Sequence, residues 1–223
     1  MNYIIATIKP WNISNFKKYF GRNKNFYLIS DPKELTVEKV KKINPRFIFF
    51  PHWSWIIPEE IWRNFECVVF HETDLPYGRG GSPIQNLIVR RHKNTKISAL
   101  RVDAGLDSGD IYMKENLSLA DSAQEIFLRT SRIIFSKMMP YFVKNNPLPR
   151  PQKGKAVLFT RRKPEESKLI DGENLKRAYD KIRMLDAQTY PKAFLETDKL
   201  KFDFSGAKVK DKKIIVQVEI YEK

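Results

Sequence analysis

"CVVFHETDLPYGRGGSPIQNLIV", residues 67–89, decides how the rest of the chain is to be read. It opens as a short apolar run, Cys67 to Phe70, and stops at His71. It then turns through Gly78, Gly80 and Gly81 and resumes at Ser82 with Ile84, Leu87 and Ile88 at helical spacing. An apolar run without alternation is a strand buried on both faces, and such strands belong to parallel sheets covered by helices. Ser82 as N-cap and Pro83 in the first helical position are the expected helix start. Strand, contorted turn and helix in succession form the repeating unit of an α/β fold.

The same alternation extends to either side. YIIATI (3–8), RFIFF (46–50) and KISALRVD (96–103) read as further buried strands, and TVEKVKKI spaces Val37, Val40 and Ile43 helically behind a Thr36 cap. Residues 121–144 predict one long helix that opens with a Ser122 to Glu125 capping box and bends near Pro140. The Pro-rich stretch NNPLPRPQKG (145–154) reads as a linker. Beyond it lie a helix around ENLKRAYDKIRML and two strands, KLKFDF and KIIVQVEIY. The expected fold is α/β: a Rossmann-like, mostly parallel sheet with helices on both faces, plus a small C-terminal helix and β-hairpin. Residues 1–150 are the predicted main domain, and residues 151–223 an appendage too thin to enclose its own core.

Forty-one Lys and Arg against 26 Asp and Glu leave a net charge of +15, so the surface attracts anions. Nucleic acid, an anionic membrane face and a phosphorylated small molecule all satisfy that charge. Cys67 is the single cysteine; it lies inside an apolar run and reads as a core thiol in a reducing compartment. No targeting segment or membrane span is legible, so a cytoplasmic location without a membrane partner is expected.

Ligands of open α/β sheets bind beyond the carboxyl ends of strands. Three polar clusters follow predicted strands: HWSW (52–55), HETDLPYGRGGSP (71–83) and DAGLDSGD (103–110). His71 offers a ring that gains or loses a proton near neutral pH. Gly78, Gly80 and Gly81 before a helix, with Arg79 among them, suit either an anion or a plain glycine-rich turn. Asp103, at the strand end, is the carboxylate placed to orient a histidine, while Asp107 and Asp110 read equally as turn formers. The acidic loop fails as a calcium loop because Lys114 stands at the closing position, and no metal site is expected. Trp53 and Trp55 present flat faces suited to a heteroaromatic ring.

HETDLPYGRGGSPIQN (71–86) followed by RVDAGLDSGDI (101–111) resembles the active-site core of the N10-formyltetrahydrofolate-dependent formyltransferases, a similarity that spans residues 1 to 165. Within that family the wording is most similar to nucleotide-sugar N-formyltransferases and to formylation domains of peptide synthetases. The resemblance implies a formyltransferase with His71 and Asp103 as the catalytic pair. The family's asparagine, two residues before the histidine, is Val69 here; Thr73, Gln85 and Asn86 are the candidates to replace it, Asn86 foremost. It further implies N10-formyltetrahydrofolate as formyl donor, its pterin held by Trp53, Trp55, Ile56, Ile57, Gly105, Leu106, Asp107 and Asp110. The expected acceptor is a nucleotide-linked amino sugar of glycan biosynthesis, contacted by Lys9, Thr73, Tyr77, Arg79, Gly80 and Gly81. A homodimer built through the terminal hairpin follows from the sugar enzymes, with nucleic acid set aside as a partner. A methionyl-tRNA formyltransferase is the alternative acceptor class, for which the residues after the linker look too few. A non-catalytic folate- or nucleotide-binding protein is the alternative that Val69 raises.

Overall fold

In the computed structural model, which describes residues 1–223, the chain divides into two compact units. The first comprises Met1–Arg79, Lys96–Leu117 and Leu128–Leu158. Its chain begins β1 (Asn2–Ala6), α1 (Pro10–Tyr19), β2 (Phe26–Ile29), α2 (Val37–Ile43), β3 (Pro45–Phe50), α3 (Glu59–Asn64) and β4 (Cys67–His71). A short strand β5 (Tyr77–Gly80) and helix α4 (Pro83–Val89) follow, then β6 (Asn94–Arg101) and β7 (Ile111–Ser118). One six-stranded sheet has the order β2-β1-β3-β4-β6-β7.

The pairs β1–β2, β1–β3 and β3–β4 are parallel, while β6 runs antiparallel to β4. The mostly parallel sheet agrees with the expected class. The reversal of β6 does not follow from its apolar pattern, which is the same for either direction. It pairs Val68 with Arg101 and His71 with Ser98, so the carboxyl end of β6 lies beside the amino end of β4.

Each central strand feeds two apolar layers, because successive side chains point to opposite faces. Ile4, Ala6, Ile48, Phe50 and Cys67 pack with Val40 of α2 and Ile61 of α3. The alternate residues Phe47 and Phe49 meet Phe142 edge-on at 5.2 and 5.4 Å between ring centroids. Phe142 belongs to the predicted long helix, found as α5 (Ala123–Ile133), a π-helical turn (Ile134–Met138) and α6 (Met139–Asn145). The wider turn sits just before Pro140, which has no N–H to continue the regular ladder. Thr36 caps α2 as predicted, accepting from the Lys39 N–H at 3.2 Å.

The second unit comprises Gly80–Thr95, Ser118–Phe127 and Phe159–Lys223. It holds α4, the last residue of β8 (Val157–Phe159), α7 (Leu175–Leu185) and a three-stranded antiparallel sheet of β9 (Ala193–Glu196), β10 (Leu200–Lys210) and β11 (Lys213–Glu222). Gln85 of α4 donates to the Met184 carbonyl of α7 at 3.1 Å, and Arg183 donates to the carbonyls of Leu119 and Asp121. The predicted hairpin is β10–β11, and its partner β9 was not legible in the sequence. No helix is long and apolar enough to cross a membrane.

Candidate active site

His71 ends β4 and is buried, its ring held by two contacts. Nε2 lies 2.7 Å from the Gly78 carbonyl oxygen, and Nδ1 lies 3.6 Å from Oδ2 of Asp107. A carbonyl only accepts, so Nε2 must carry a proton. In the neutral ring Nδ1 is then the atom with a free lone pair. A proton taken up there comes to rest between the imidazole and the Asp107 carboxylate. The turn supplies the carbonyl because Gly78 has φ of +80°, and the Thr73 hydroxyl donates to the same oxygen at 3.3 Å.

Glu72, the next residue, is buried against His52. His52 Nε2 lies 3.1 Å from Oε1 of Glu72, and the Trp11 indole donates to His52 Nδ1 at 3.2 Å. An indole N–H only donates, so Nδ1 accepts and Nε2 carries the hydrogen toward Glu72. Burial pushes the Glu72 carboxyl up; the hydrogen bond from His52 and the two neighbouring imidazoles outweigh it, and the net direction is below the ordinary carboxylate range. Asn12 completes the group, donating to Thr7 Oγ1 at 2.9 Å and to the Pro51 carbonyl at 3.1 Å. In a sheet of order 2-1-3-4 the switch-point crevice lies between β1 and β3. Buried Trp11, Asn12 and His52 fill that position here.

The structure departs from several sequence-based expectations. Asp103 does not reach His71: its Oδ1 accepts from the Gly105 N–H at 3.0 Å and from the Ser108 hydroxyl at 2.8 Å, closing its own loop. The reversed β6 accounts for this, since its end lies away from the end of β4. The tip of the loop, at Asp107, comes to the imidazole instead. Asn86 is fully engaged elsewhere, donating to the carbonyls of Gly81, Ser82 and Thr160 and accepting from Arg90. Gln85 is likewise committed to Met184. Ser82 does not cap α4; it adopts φ of +51° and its hydroxyl accepts from the Arg162 N–H.

Gly80 and Gly81 have a packing reason. Gly80 has φ of +108°, and a Cβ there would come within 2.4 Å of the Phe159 carbonyl oxygen; one at Gly81 would meet Arg161 at 2.6 Å. Arg79 donates to Gln152, and Tyr77 is half-buried. Lys9 lies 5.6 Å from the Trp11 ring centroid, its ammonium pushed below the usual range by burial. Asp110 pairs with Arg101 at 3.2 Å. Trp53 packs on the apolar core with its indole N–H buried and unpartnered, and lies obliquely against Trp55 at 5.1 Å between ring centroids. Ile57 is buried, whereas Ile56 and Leu106 are 94% and 69% exposed. Sequence reasoning gave no role to Glu72, His52 or Gln152, whose partners are far away in the chain.

An open, mostly parallel α/β sheet with an imidazole–carboxylate pair beyond a central strand is the class these observations define. The chain belongs to the formyl transferase family, whose pattern, described as "Formyl transferase", matches residues 18–131. The pattern "Methionyl-tRNA formyltransferase, C-terminal domain" matches residues 164–221, so the expectation that the tail is too short for that class does not hold. A solved methionyl-tRNA formyltransferase from Clostridium thermocellum is 54% identical, covering 100% of both chains with a TM-score of 0.97. Curated methionyl-tRNA formyltransferases include one from Campylobacter jejuni, 27% identical over 85% of this chain and 63% of its own, and one from Rickettsia felis, 35% identical over 39% and 29%. The chain thus spans less than two thirds of these curated relatives. A sugar N-formyltransferase-like protein from Mycobacterium tuberculosis shares the fold, with a TM-score of 0.71 at 16% identity over 88% and 92% of the two chains. The acceptor reading is therefore corrected. At 54% identity over its full length the chain is similar to a protein named for methionyl-tRNA, and the nucleotide-sugar partner with nucleic acid set aside is withdrawn.

Proposed function

We propose that the protein transfers a formyl group from N10-formyltetrahydrofolate to the amine of methionyl-tRNA. The observation that carries this reading is the similarity along the entire chain to the Clostridium thermocellum protein of that name. The site supports it chemically. Moving a formyl group to an amine requires an uncharged amine, a base for its proton and a hydrogen-bond donor for the charge that builds on the formyl oxygen. His71 Nδ1, whose tautomer leaves its lone pair available, takes the amine proton, Asp107 stabilises the imidazolium that forms, and that proton is then given to the folate nitrogen as its bond to the formyl carbon breaks.

The donor's bicyclic pterin fits the segment 53–57 and the loop at Leu106. Exposed Ile56 and Leu106 offer apolar faces, and the buried Trp53 N–H lacks an acceptor within the protein. Val69 sits on the same face of β4 as His71, packed against the core. The chain therefore lacks the side-chain amide that the family resemblance implies there.

The test is formyl-donor consumption with methionyl-tRNA, uncharged tRNA and free methionine as acceptors. Turnover with methionyl-tRNA alone, lost in His71→Ala, is expected. No turnover with methionyl-tRNA under saturating donor would overturn the reading.

A further inference from the structure

We propose that Gln152 and Arg79 are positioning residues: the Gln152 amide, oriented by Arg79, holds the tip of the 103–110 loop so that Asp107 stays against His71. The inference rests on the formyl-transfer reading of that pair. It concerns a stretch that composition marked as a linker. Arg150 and Ile111 exchange both backbone hydrogen bonds, at 2.8 Å each, which lays residues 150–152 along the place where the acidic loop ends. Gln152 Nε2 then donates to the carbonyls of Asp107 and Gly109, both at 2.8 Å. Its Oε1 accepts from Arg79 Nε at 3.1 Å and Nη2 at 2.8 Å.

The chemistry of the partners fixes the amide's orientation. A guanidinium has donors only, so the oxygen must face Arg79, and the NH2 is left to face two carbonyls that only accept. One side chain thereby joins the glycine turn after His71 to the loop that carries Asp107. The loop needs such a tie. Residues 103–106 are exposed, and Asp107 has φ of +49°, a left-handed conformation uncommon for non-glycine residues though one that Asp tolerates. The Gln152 hydrogen bond to its carbonyl helps hold that conformation and with it the direction of its carboxylate. Around His71 the charged and polar groups are Asp107, Glu72 and the Gly78 carbonyl, so no other carboxylate contact to its Nδ1 is in place if Asp107 drifts.

Gln152→Glu is the informative variant, because a carboxylate still accepts from Arg79 but cannot donate to either carbonyl. A misplacement of about 1 Å at a reacting group lowers rate about a hundredfold. We expect kcat to fall by about ten- to a hundredfold with KM for both substrates changed less than about twofold. Amides of residues 103–110 should exchange hydrogen faster while those of the central strands are unchanged. Arg79→Lys, which offers a single donor in place of a fork, should give a smaller loss of the same kind. Wild-type kcat together with wild-type exchange in Gln152→Glu would overturn the proposal. So would losses in both variants that accompany faster exchange throughout the sheet. A wild-type protein that transfers no formyl group would refute the parent reading alone, since the exchange measurement decides the clamp without turnover.

Discussion

Asp103 and Asp107 lie in one loop, four positions apart. Strand-end logic favours Asp103, but that logic holds only where the strand runs parallel to its neighbour. With β6 reversed, the carboxylate nearest the strand is turned into a local hydrogen-bonding role and the one at the tip meets the imidazole. The two are separable by mutation. Asp107→Asn should lower kcat by about 10²–10⁴, the range for a lost acid–base partner. Asp103→Asn, which keeps an oxygen for the Gly105 N–H and the Ser108 hydroxyl, should stay within about tenfold, well below that range. Steady-state kinetics on both decides, and the reverse ranking would remove Asp107 from the site. Val69 invites a gain-of-function test on the same strand. An amide there supplies an oxyanion donor worth about 10²–10³ in rate where such donors are preorganised. Val69→Asn should therefore raise kcat, while losing about 1–3 kcal/mol of stability if part of the amide stays unpaired.

At the scale of elements, apolar patterning showed which segments are strands and helices, because burial on both faces leaves a continuous apolar run. It did not show β2, β7 or β9, which are short or only half buried, nor the sense of β6. The Pro-rich stretch misled for a related reason. A linker and a segment pinned by a few specific bonds have the same composition, and only the partners, Ile111, Asp107 and Arg79, tell them apart. The entry to α4 shows a similar exchange of roles. Ser82 has the right chemistry for a cap, yet its left-handed backbone aims it elsewhere, and Asn86 satisfies the Gly81 and Ser82 carbonyls from inside the helix. Asn86→Ala should lower stability by about 2 kcal/mol, or about 4–8 °C in melting temperature for a chain of this size. A shift below about 1 °C would mean these bonds contribute nothing net.

The His52–Glu72 contact joins the ends of β3 and β4 and carries a pH signature. Its carboxyl is held below the ordinary value of 4.5. A depressed carboxyl contributes stability fully above its unfolded value, about 4.3, and loses it as pH falls through the folded value. The stability gap between wild type and Glu72→Gln should thus close as pH falls below about 4. Urea unfolding at a series of pH values measures that gap, and one that widens as pH falls below about 4 would contradict the pairing.

At the scale of the whole molecule, the net charge of +15 is unevenly compensated. Many cations have carboxylate partners, among them Lys39 with Glu34, Lys41 with Glu60 and Lys192 with Asp186. The stretch from Ile8 to Ser30 contains no acidic residue. Lys17, Lys18, Arg22 and Lys24, exposed at the end of α1, line a shallow depression of about 820 Å³ with Tyr19 and Asn23. Mutually repelling cations held this close together destabilise the fold slightly, an arrangement that a polyanion reverses. Under the proposed reading, in which tRNA carries the acceptor, each neutralised phosphate releases a counterion, and binding weakens with salt by a slope of about 0.7–0.9 per contact. Replacing these four residues by glutamine should therefore reduce the salt slope of tRNA binding by about three. It should leave kcat near wild type at saturating acceptor, because the patch contains none of the residues around His71. Filter binding of wild type and variant across a salt series measures the slope, and equal slopes would place the phosphate contacts on other cations.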